Sequence, residues 1–433
     1  MRQNRSVKFS TFTKSIFKDF GDSIKRVQGN PRVVAISQPF WSIPFNLYNP
    51  FMTQYMLSLG LNNEQVGLIS SIGLVFGMVL SFFSGYITDR MGRRWALLTF
   101  DLVTWCLGCL LWGLAQNFAW FLAAGIANAF VRIVAVPYGC VLVEGTPPEN
   151  RLSVYSVLNL AAILANFCAP LMIVFINPLG LVPAMRAVLI ASSIIYTITF
   201  IIRHIYLKDT EIAIKRKEES KQETPFSAII DYKRILKNLI NSKVLLILII
   251  MRALHFVQNN MRNTYLSVTI IQGLGFHITV MSLVSILTGV VTLFAQLLIM
   301  PKLVGKNPQM PLLISLFIGI LSTVMLFIAP NNNLAFLICV IILNSAGLVV
   351  IHMLIETLVA NTMPDADRAS LLGLATIFMV LVSAPFQYLA GVLADIPEIG
   401  PRLPQLIIAF IMTVSFVLAL GLRRISDDKA SIV

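Results

Sequence analysis

Twelve long apolar runs dominate this sequence and restrict what it can fold into. Each is close to or above the ~20 apolar residues that an α-helix needs to cross a bilayer. They are too long and too continuous for the alternating strands of a membrane barrel, and helices satisfy their own backbone hydrogen bonds. The runs cover residues 33–58, 66–88, 95–115, 118–142, 151–177, 184–206, 243–272, 277–301, 309–329, 333–360, 367–394 and 402–422.

The composition agrees with a membrane protein, because 57% of the residues are apolar and only 12% are charged. Soluble domains carry roughly 25% charged residues. We therefore predict an all-α integral membrane protein with twelve transmembrane helices.

The net charge of +13 is distributed unevenly. If the N-terminus is cytoplasmic, nearly all Lys and Arg fall in the tails and in loops on the cytoplasmic side. Only Arg186 and Arg402 fall outside, and only Arg132, Arg252 and Arg262 lie within spans. This positive-inside bias predicts cytoplasmic termini in the cell membrane and contact with anionic lipid headgroups. It does not favour nucleic-acid binding.

The polar stretches divide the chain into five parts. Residues 1–32 are basic, with apolar residues at helical spacing, which predicts an amphipathic segment at the cytoplasmic interface; a disordered tail is the alternative. Residues 33–206 and 243–424 each hold six spans. A mixed-charge linker at 207–242 separates them, with an amphipathic helix predicted from Phe226 to Asn241, and 425–433 is a cytoplasmic tail.

The two halves resemble each other, which indicates an internal duplication. Run 4 ends in VLVE at Glu144 and is followed by PPENR, which ends at Arg151. Run 10 carries MLIE at Glu356 and is followed by PDADR, which ends at Arg368. We expect two pseudo-symmetric six-helix bundles.

The loop between runs 2 and 3 reads GYITDRMGRR, from Gly85 to Arg94. Its four charges lie between two apolar runs, so it must reach a membrane surface. Gly92 supplies the backbone freedom for a tight turn.

With this loop, twelve spans and a 6+6 repeat, the chain resembles the major facilitator superfamily over residues 33–424. The family's loop motif is matched by Gly85, Asp89, Arg90, Gly92, Arg93 and Arg94, its fourth-span arginine by Arg132, and the acid at the end of that span by Glu144. The second half has Lys302 where the first has Asp89, and span 5 has alanines where drug/proton antiporters carry glycines. The first departure leaves the full charge set in one half only, and the second weakens an antiporter assignment without excluding it.

The resemblance implies a gate on the cytoplasmic face. Asp89 would meet the start of a second-half helix near Arg368–Leu372, and Arg93 or Arg94 would reach Glu144. Such contacts would cross between the halves and bias a two-state equilibrium; ordinary positive-inside anchoring is the alternative. The gating candidates are Gly85, Asp89, Arg90, Gly92, Arg93, Arg94, Glu144, Arg151, Glu356 and Arg368.

Polar residues inside the spans suggest a solute site near the midplane between the halves. The cations within the spans face no mid-span carboxylate, which favours an anionic or electron-rich solute. His255, and His352 with Glu356 one turn on, form the one plausible proton relay. The alternative for Glu356 is a structural acid at the cytoplasmic end of its span, the counterpart of Glu144. The cavity candidates are Gln38, Trp41, Phe45, Asn46, Asn128, Arg132, Asn159, Asn166, His255, Asn259, Arg262, Asn344, His352 and Gln387; buried amides that join helices are the alternative for each.

The sequence contains no phosphate-binding loop, metal cluster or nucleophile constellation, so we expect neither an enzyme nor a cofactor. The predicted function is transport of a small organic solute by alternating access, and we expect a monomer. The alternatives are a proton-coupled multidrug or metabolite exporter of the same fold, and a membrane sensor or scaffold that does not transport.

Overall fold

The computed structural model describes residues 27–144, 146–220, 242–299, 308–362 and 368–430. Most of the predicted amphipathic N-terminal segment, and the helix predicted from Phe226 to Asn241, lie outside these ranges. The described part of the chain folds into helices, without a strand.

Twelve helical segments follow the predicted runs. The first, α1, is interrupted: it comprises Asn30–Tyr48 and Met52–Ser58, joined by a 3₁₀ turn at Asn49–Phe51. The first half continues with α2 (Asn63–Met91), α3 (Arg93–Leu114), α4 (Phe118–Val143), α5 (Pro148–Asn166 and Leu171–Leu179) and α6 (Leu181–Tyr206). The second half comprises α7 (Lys243–Gly273), α8 (Val280–Ile299), α9 (Gln309–Phe327), α10 (Leu334–Thr362), α11 (Arg368–Ala394) and α12 (Leu403–Ala430).

Within the described residues, eleven helices are long and apolar enough to cross a membrane. The exception is α1, in which Pro39 and Pro44 lie inside the helix and Pro50 lies in the 3₁₀ turn. Proline removes a backbone donor and interrupts the helical ladder. The count of twelve membrane spans therefore stays a prediction.

Two ends of the bundle are distinguished by their loops. The basic face carries the Gly92 turn, the end of α4 and the start of the linker; it is the predicted cytoplasmic face. The opposite face carries residues 59–62, 115–117 and 395–402. As predicted, Gly92 makes the α2–α3 turn with a positive φ of 87°.

Two departures from the predicted boundaries concern the linker and the C-terminus. A short helix at Glu211–Glu219, the linker helix, begins after Thr210, whose hydroxyl accepts from the Ala213 N–H at 3.1 Å. At the other end, α12 continues as a helix to Ala430, into the predicted tail.

The halves approach most closely where α2 meets α11. A Cβ placed on Gly67 would lie 2.5 Å from the Tyr265 hydroxyl, and one on Gly391 would lie 2.5 Å from the Asn63 carbonyl oxygen. Contacts below 3 Å are sterically excluded, so both positions require glycine in this arrangement. This close packing lies towards the opposite face.

Candidate functional site

A central cavity of about 390 Å³ lies between the two halves. Helices α1, α2, α3 and α4 supply most of its wall, and α7 and α11 complete it. Four of the predicted candidates line it: Phe45, Asn128, Arg132 and Gln387.

Aromatic side chains form one wall of the central cavity. Trp105 packs edge-on against Phe45, with ring centroids 5.9 Å apart, and Tyr48 and Trp112 extend the wall. Trp105 lies in a π-helical stretch of α3 at Leu102–Leu107. A π-turn changes the direction of the side chains that follow it and often occurs at functional sites.

Amides and one cation form the polar part of the wall of the central cavity. Asn128 and Arg132 come from α4, one turn apart, and Asn260 and Asn263 come from α7. The Arg132 guanidinium lies 5.7 Å from the centroid of the Phe256 ring, across the boundary between the halves. The described residues that line the cavity include no carboxylate.

Hydrogen bonds between the halves close the opposite face. The Asp395 carboxylate, just after α11, accepts from the backbone N–H of Asn63 at 3.0 Å and of Glu64 at 2.8 Å. The side-chain amide of Asn63 donates to the same carboxylate at 2.9 Å, and the Tyr388 hydroxyl donates to Glu64 at 2.7 Å.

Asp395 thereby occupies the N-terminus of α2, where backbone N–H groups are free and the helix dipole favours an anion. The next N–H, that of Gln65, is satisfied within the first half by the Asn62 side chain at 2.8 Å. Deeper in, Ser71 donates to the Ala384 carbonyl at 2.7 Å and Thr53 to the Thr264 carbonyl at 2.9 Å. In the described part of the chain, the hydrogen bonds that join the halves lie on this side of the cavity.

At the basic face, Arg93 bonds to Asp89 and reaches Glu144 at 3.2 Å, one of the two contacts that the resemblance implied. The expectation that these contacts cross between the halves is wrong for Arg93, because its partners belong to α2 and α4. The other oxygen of Glu144 accepts from the Thr210 hydroxyl at 2.8 Å. The loop charges thus join the first half to the linker helix.

The remaining loop residues hold the linker or face water. Arg94 donates to the His204 carbonyl at 2.8 Å and lies 3.8 Å from Asp209. Arg90 contacts the Tyr86 hydroxyl at 3.1 Å, and exposed Arg151 lies 3.4 Å from the Thr146 carbonyl. At Gly85 an added Cβ would meet open space. Arg368 begins α11, and its side chain lies outside the described part.

In the second half, Arg252 of α7 bonds to Glu356 of α10 at 2.7 Å. Arg252 thus has a carboxylate partner near the end of α10, although not a mid-span one; the sequence did not show this pair because it does not reveal that α7 and α10 are adjacent. One turn further in, the His255 and His352 rings stack with centroids 5.3 Å apart. The two predicted relay histidines lie side by side, outside the residues that line the central cavity.

A second cavity of about 310 Å³ lies inside the first half, between α1, α3, α4 and α6. Arg203 pairs there with Asp101, and their side chains are only 6% and 3% exposed. Arg203 is thus a buried cation within α6, contrary to the expectation that it belongs to the cytoplasmic loops. Gln38 accepts from the Tyr138 hydroxyl at 3.1 Å and lines this second cavity with Trp41.

Other predicted cavity residues lie elsewhere. Asn344 is buried between α9 and α10, where its amide donates to Ser322 at 3.1 Å. Asn46 donates to the Ser42 carbonyl of its own helix at 2.8 Å. Asn159, Asn166, Asn259 and Arg262 do not line the central cavity.

Sequence reasoning missed Trp105, Trp112, Asn260 and Asn263 in the cavity, and Asp395 at the opposite face. For α7 the polar signal was present, but Asn260 and Asn263, instead of Asn259, face the cavity. An adjacent residue on an α-helix points about 100° away, so a small error in the assumed rotation selects the wrong asparagine.

Comparison with known proteins adds a family and a fold. The family model described as Major Facilitator Superfamily matches residues 35–384. The chain is 26% identical over 212 residues to the multidrug resistance protein MdtG of Serratia proteamaculans (strain 568), which covers 46% of this chain and 49% of that protein. It is 25% identical over 189 residues to the protein of the same name from Dickeya zeae (strain Ech586), covering 41% and 44%. The chain thus matches about half the length of these relatives.

Solved structures share the fold at low sequence identity. The nucleoside transporter NupG superposes with a TM-score of 0.68 at 13% identity, covering 91% of this chain and 99% of that chain. A bacterial homologue of the human lysosomal transporter Spinster, in an inward-facing and occupied conformation, gives 0.63 at 13% identity, covering 91% and 96%. The predicted all-α membrane fold and the resemblance are thereby confirmed.

Proposed function

Because the chain belongs to the major facilitator superfamily, we propose that it is a secondary transporter that carries a small organic solute across a membrane by alternating access. The observation that carries this proposal is the central cavity, which lies between the two halves and is closed towards the opposite face by hydrogen bonds that join them. A solute held there would be released on either side as the halves rock.

The contacts that close the opposite face suit such a cycle. They are hydrogen bonds between polar groups at helix ends, and water can replace them when the halves separate. The arrangement corresponds to a conformation closed at the face predicted to be extracellular. The network of Asp89, Arg93 and Glu144 fixes the linker to the first half at the basic face. It would thereby influence the opening and closing of that face.

The wall of the central cavity indicates the class of solute. Trp105 and Trp112 offer flat apolar surfaces, and the amides of Asn128 and Asn260 offer donors and acceptors. Arg132 is the charged group among the lining residues, without a carboxylate to balance it. A planar aromatic solute that is neutral or anionic fits this chemistry better than a cation.

Export of amphipathic compounds is the form of transport that the curated relatives favour, since both are called multidrug resistance proteins. The mixture of aromatic and amide groups, with one cation, would accept solutes of different shapes. We infer export as the second, narrower candidate. The positive-inside orientation would place the basic face on the cytoplasmic side of a cell membrane.

Proton coupling would use the stacked pair His255 and His352. Histidine is a common proton-transfer group, and two rings this close would repel each other if both carried a proton. A positive charge on the histidine pair would attract the Glu356 carboxylate, which is bonded to Arg252 one turn away. A protonation change there would alter the contact between α7 and α10.

The proposal is tested with the purified full-length protein, first by thermal shift and then by flux into proteoliposomes. The probes are salicylate as an aromatic anion, ethidium as an aromatic cation and glucose as a neutral sugar. A ligand that binds the folded state raises the apparent melting temperature by mass action. Salicylate should stabilise the protein most and glucose least.

Two tryptophans of α3 provide a matched pair of variants. Trp105→Leu should remove most of the stabilisation by salicylate, whereas Trp95→Leu, at an exposed position near the basic face, should retain it. Binding without flux under any imposed gradient would favour a sensor of the same fold. Equal losses in the two variants would contradict the central cavity as the site.

A further inference from the structure

A third cavity, of about 540 Å³, is a groove on the outer surface of the first half between α1 and α6. Its wall is almost entirely apolar and includes Val33, Ile36, Phe40, Ile195, Ile198 and Ile202. Three of these, Ile36, Phe40 and Ile198, are more than half exposed. Apolar side chains exposed on the outside of a membrane bundle face lipid acyl chains.

The groove has the length of one bilayer leaflet. From Ile195 to Tyr206, α6 rises by about 16 Å at ~1.5 Å per residue. Half of a hydrocarbon core of ~30 Å is about 15 Å. Exposed Tyr206 lies at the end of the groove near the basic face, and Trp95 contacts the His204 ring of the same helix turn, with centroids 4.6 Å apart. Such rings mark the boundary between the membrane and water.

Positive charge lies at this same end. Arg32 is exposed and precedes Ile36 by four residues, so both project from the same side of α1. Exposed Lys208 follows Tyr206 by two residues, and its backbone is fixed to α1 by two hydrogen bonds. The Asn30 amide donates to the Lys208 carbonyl at 2.8 Å, and the Lys208 N–H donates to the Asn30 side-chain oxygen at 2.9 Å.

The acid that follows Lys208 in the sequence pairs with a cation elsewhere. Asp209 lies 3.8 Å from Arg94, on the side of the linker. The mouth of the groove therefore combines two cations on neighbouring helix ends with an apolar channel beneath them.

We propose that this groove is a binding site for an anionic phospholipid of the leaflet at the basic face. One acyl chain lies along Ile36, Ile198 and Ile202, and the phosphate lies between Arg32 and Lys208. Both cations attract a headgroup with net negative charge, whereas a zwitterionic headgroup brings its own cation to the same place. The bound lipid bridges α1 and α6, and stabilises the first half without entering the central cavity.

The test uses the full-length protein, delipidated in detergent and supplied with phosphatidylglycerol or phosphatidylcholine of identical acyl chains. Native mass spectrometry counts the bound lipids, and thermal shift measures the stabilisation. Phosphatidylglycerol should bind more tightly and raise the melting temperature further. Soluble glycerol phosphate should do neither, because it lacks the chain that fills the groove.

The double variant Arg32→Gln/Lys208→Gln should lower the affinity for phosphatidylglycerol about thirty-fold. This corresponds to ~1 kcal/mol for each cation near the membrane surface, at ~1.4 kcal/mol per tenfold. The control Lys215→Gln/Arg216→Gln removes two exposed cations from the linker helix and should leave the affinity unchanged. Equal losses in both variants would show diffuse attraction and overturn the site.

A second pair of variants examines the groove itself, with all charges kept. Ile198→Trp fills the groove and should weaken the retention of phosphatidylglycerol. Ile205→Trp adds the same bulk on α6 at an exposed position outside the groove wall and should not. If both variants retain phosphatidylglycerol like the unaltered protein, no acyl chain lies in the groove.

Discussion

Replacing Asp395 by asparagine should open the face of the protein opposite the basic loops. The carboxylate accepts hydrogen bonds from the Asn63 and Glu64 backbone and from the Asn63 amide, all at 3.0 Å or less. Asparagine keeps the shape, but it loses the charge that the N-terminus of α2 favours, and its amide group cannot accept.

The size of the effect follows from the number of bonds and their exposure. A hydrogen bond to a charged group contributes ~1.5–3 kcal/mol. Asp395 is exposed, so water screens its interactions. The side-chain oxygen of asparagine can also still accept some of the hydrogen bonds that the carboxylate accepts. We therefore take about 1.5 kcal/mol for the net loss, which is roughly a tenfold change in the ratio of the open to the closed form.

Double electron–electron resonance between two spin labels would detect this shift from the closed to the open form. The labels are placed at Ser58→Cys and Ile396→Cys, exposed positions in the two halves at the opposite face, in a background without other reactive cysteines. In nanodiscs, Asp395→Asn should add or enlarge a population with longer distances. Glu398→Gln, which removes a nearby exposed acid that bonds to neither Asn63 nor Glu64, is the control. Identical distance distributions for Asp395→Asn and the unaltered protein would refute the reasoning.

Three further predictions concern charges within the membrane. Arg132→Gln should weaken the binding of salicylate about tenfold and leave neutral aromatic ligands unaffected, as measured by titration calorimetry; an equal effect on both would argue against a charge role. Asp101→Asn should lower the free energy of unfolding by ~3–5 kcal/mol in denaturant, because it leaves Arg203 buried without its partner. Adding Arg203→Met in the same chain should recover much of the lost stability. Unchanged stability of the single variant would contradict the burial of the pair. His352→Gln should abolish flux driven by a pH gradient while solute exchange persists, and gradient-driven flux that survives would exclude this histidine from coupling.

Much of the architecture could be predicted from the sequence because it is local. In the described part of the chain, most apolar runs are helices to within a few residues, since a helix satisfies its backbone within one segment and the lipid requires apolar side chains. The Gly92 turn followed from the same kind of argument. The interruption of α1 follows from its three prolines, which the sequence showed without giving the positions of the breaks.

The candidate site could be predicted only in part. Phe45, Asn128, Arg132 and Gln387 line the central cavity as expected, and His255 lies against its predicted relay partner. Polar residues in a span indicate a function or a helix contact equally well. Asn344, which joins two helices, illustrates the second case.

By itself, the sequence determined the membrane helices, the family motif and the uneven distribution of charge, because these depend on neighbours along the chain. The tertiary structure alone decided which distant groups meet: Asp395 with the start of α2, Arg203 with Asp101, and Arg252 with Glu356. These partners are separated by one hundred residues or more in the sequence. Whether they meet depends on the rotation and packing of whole helices, and a rotation by one residue turns a side chain by about 100°.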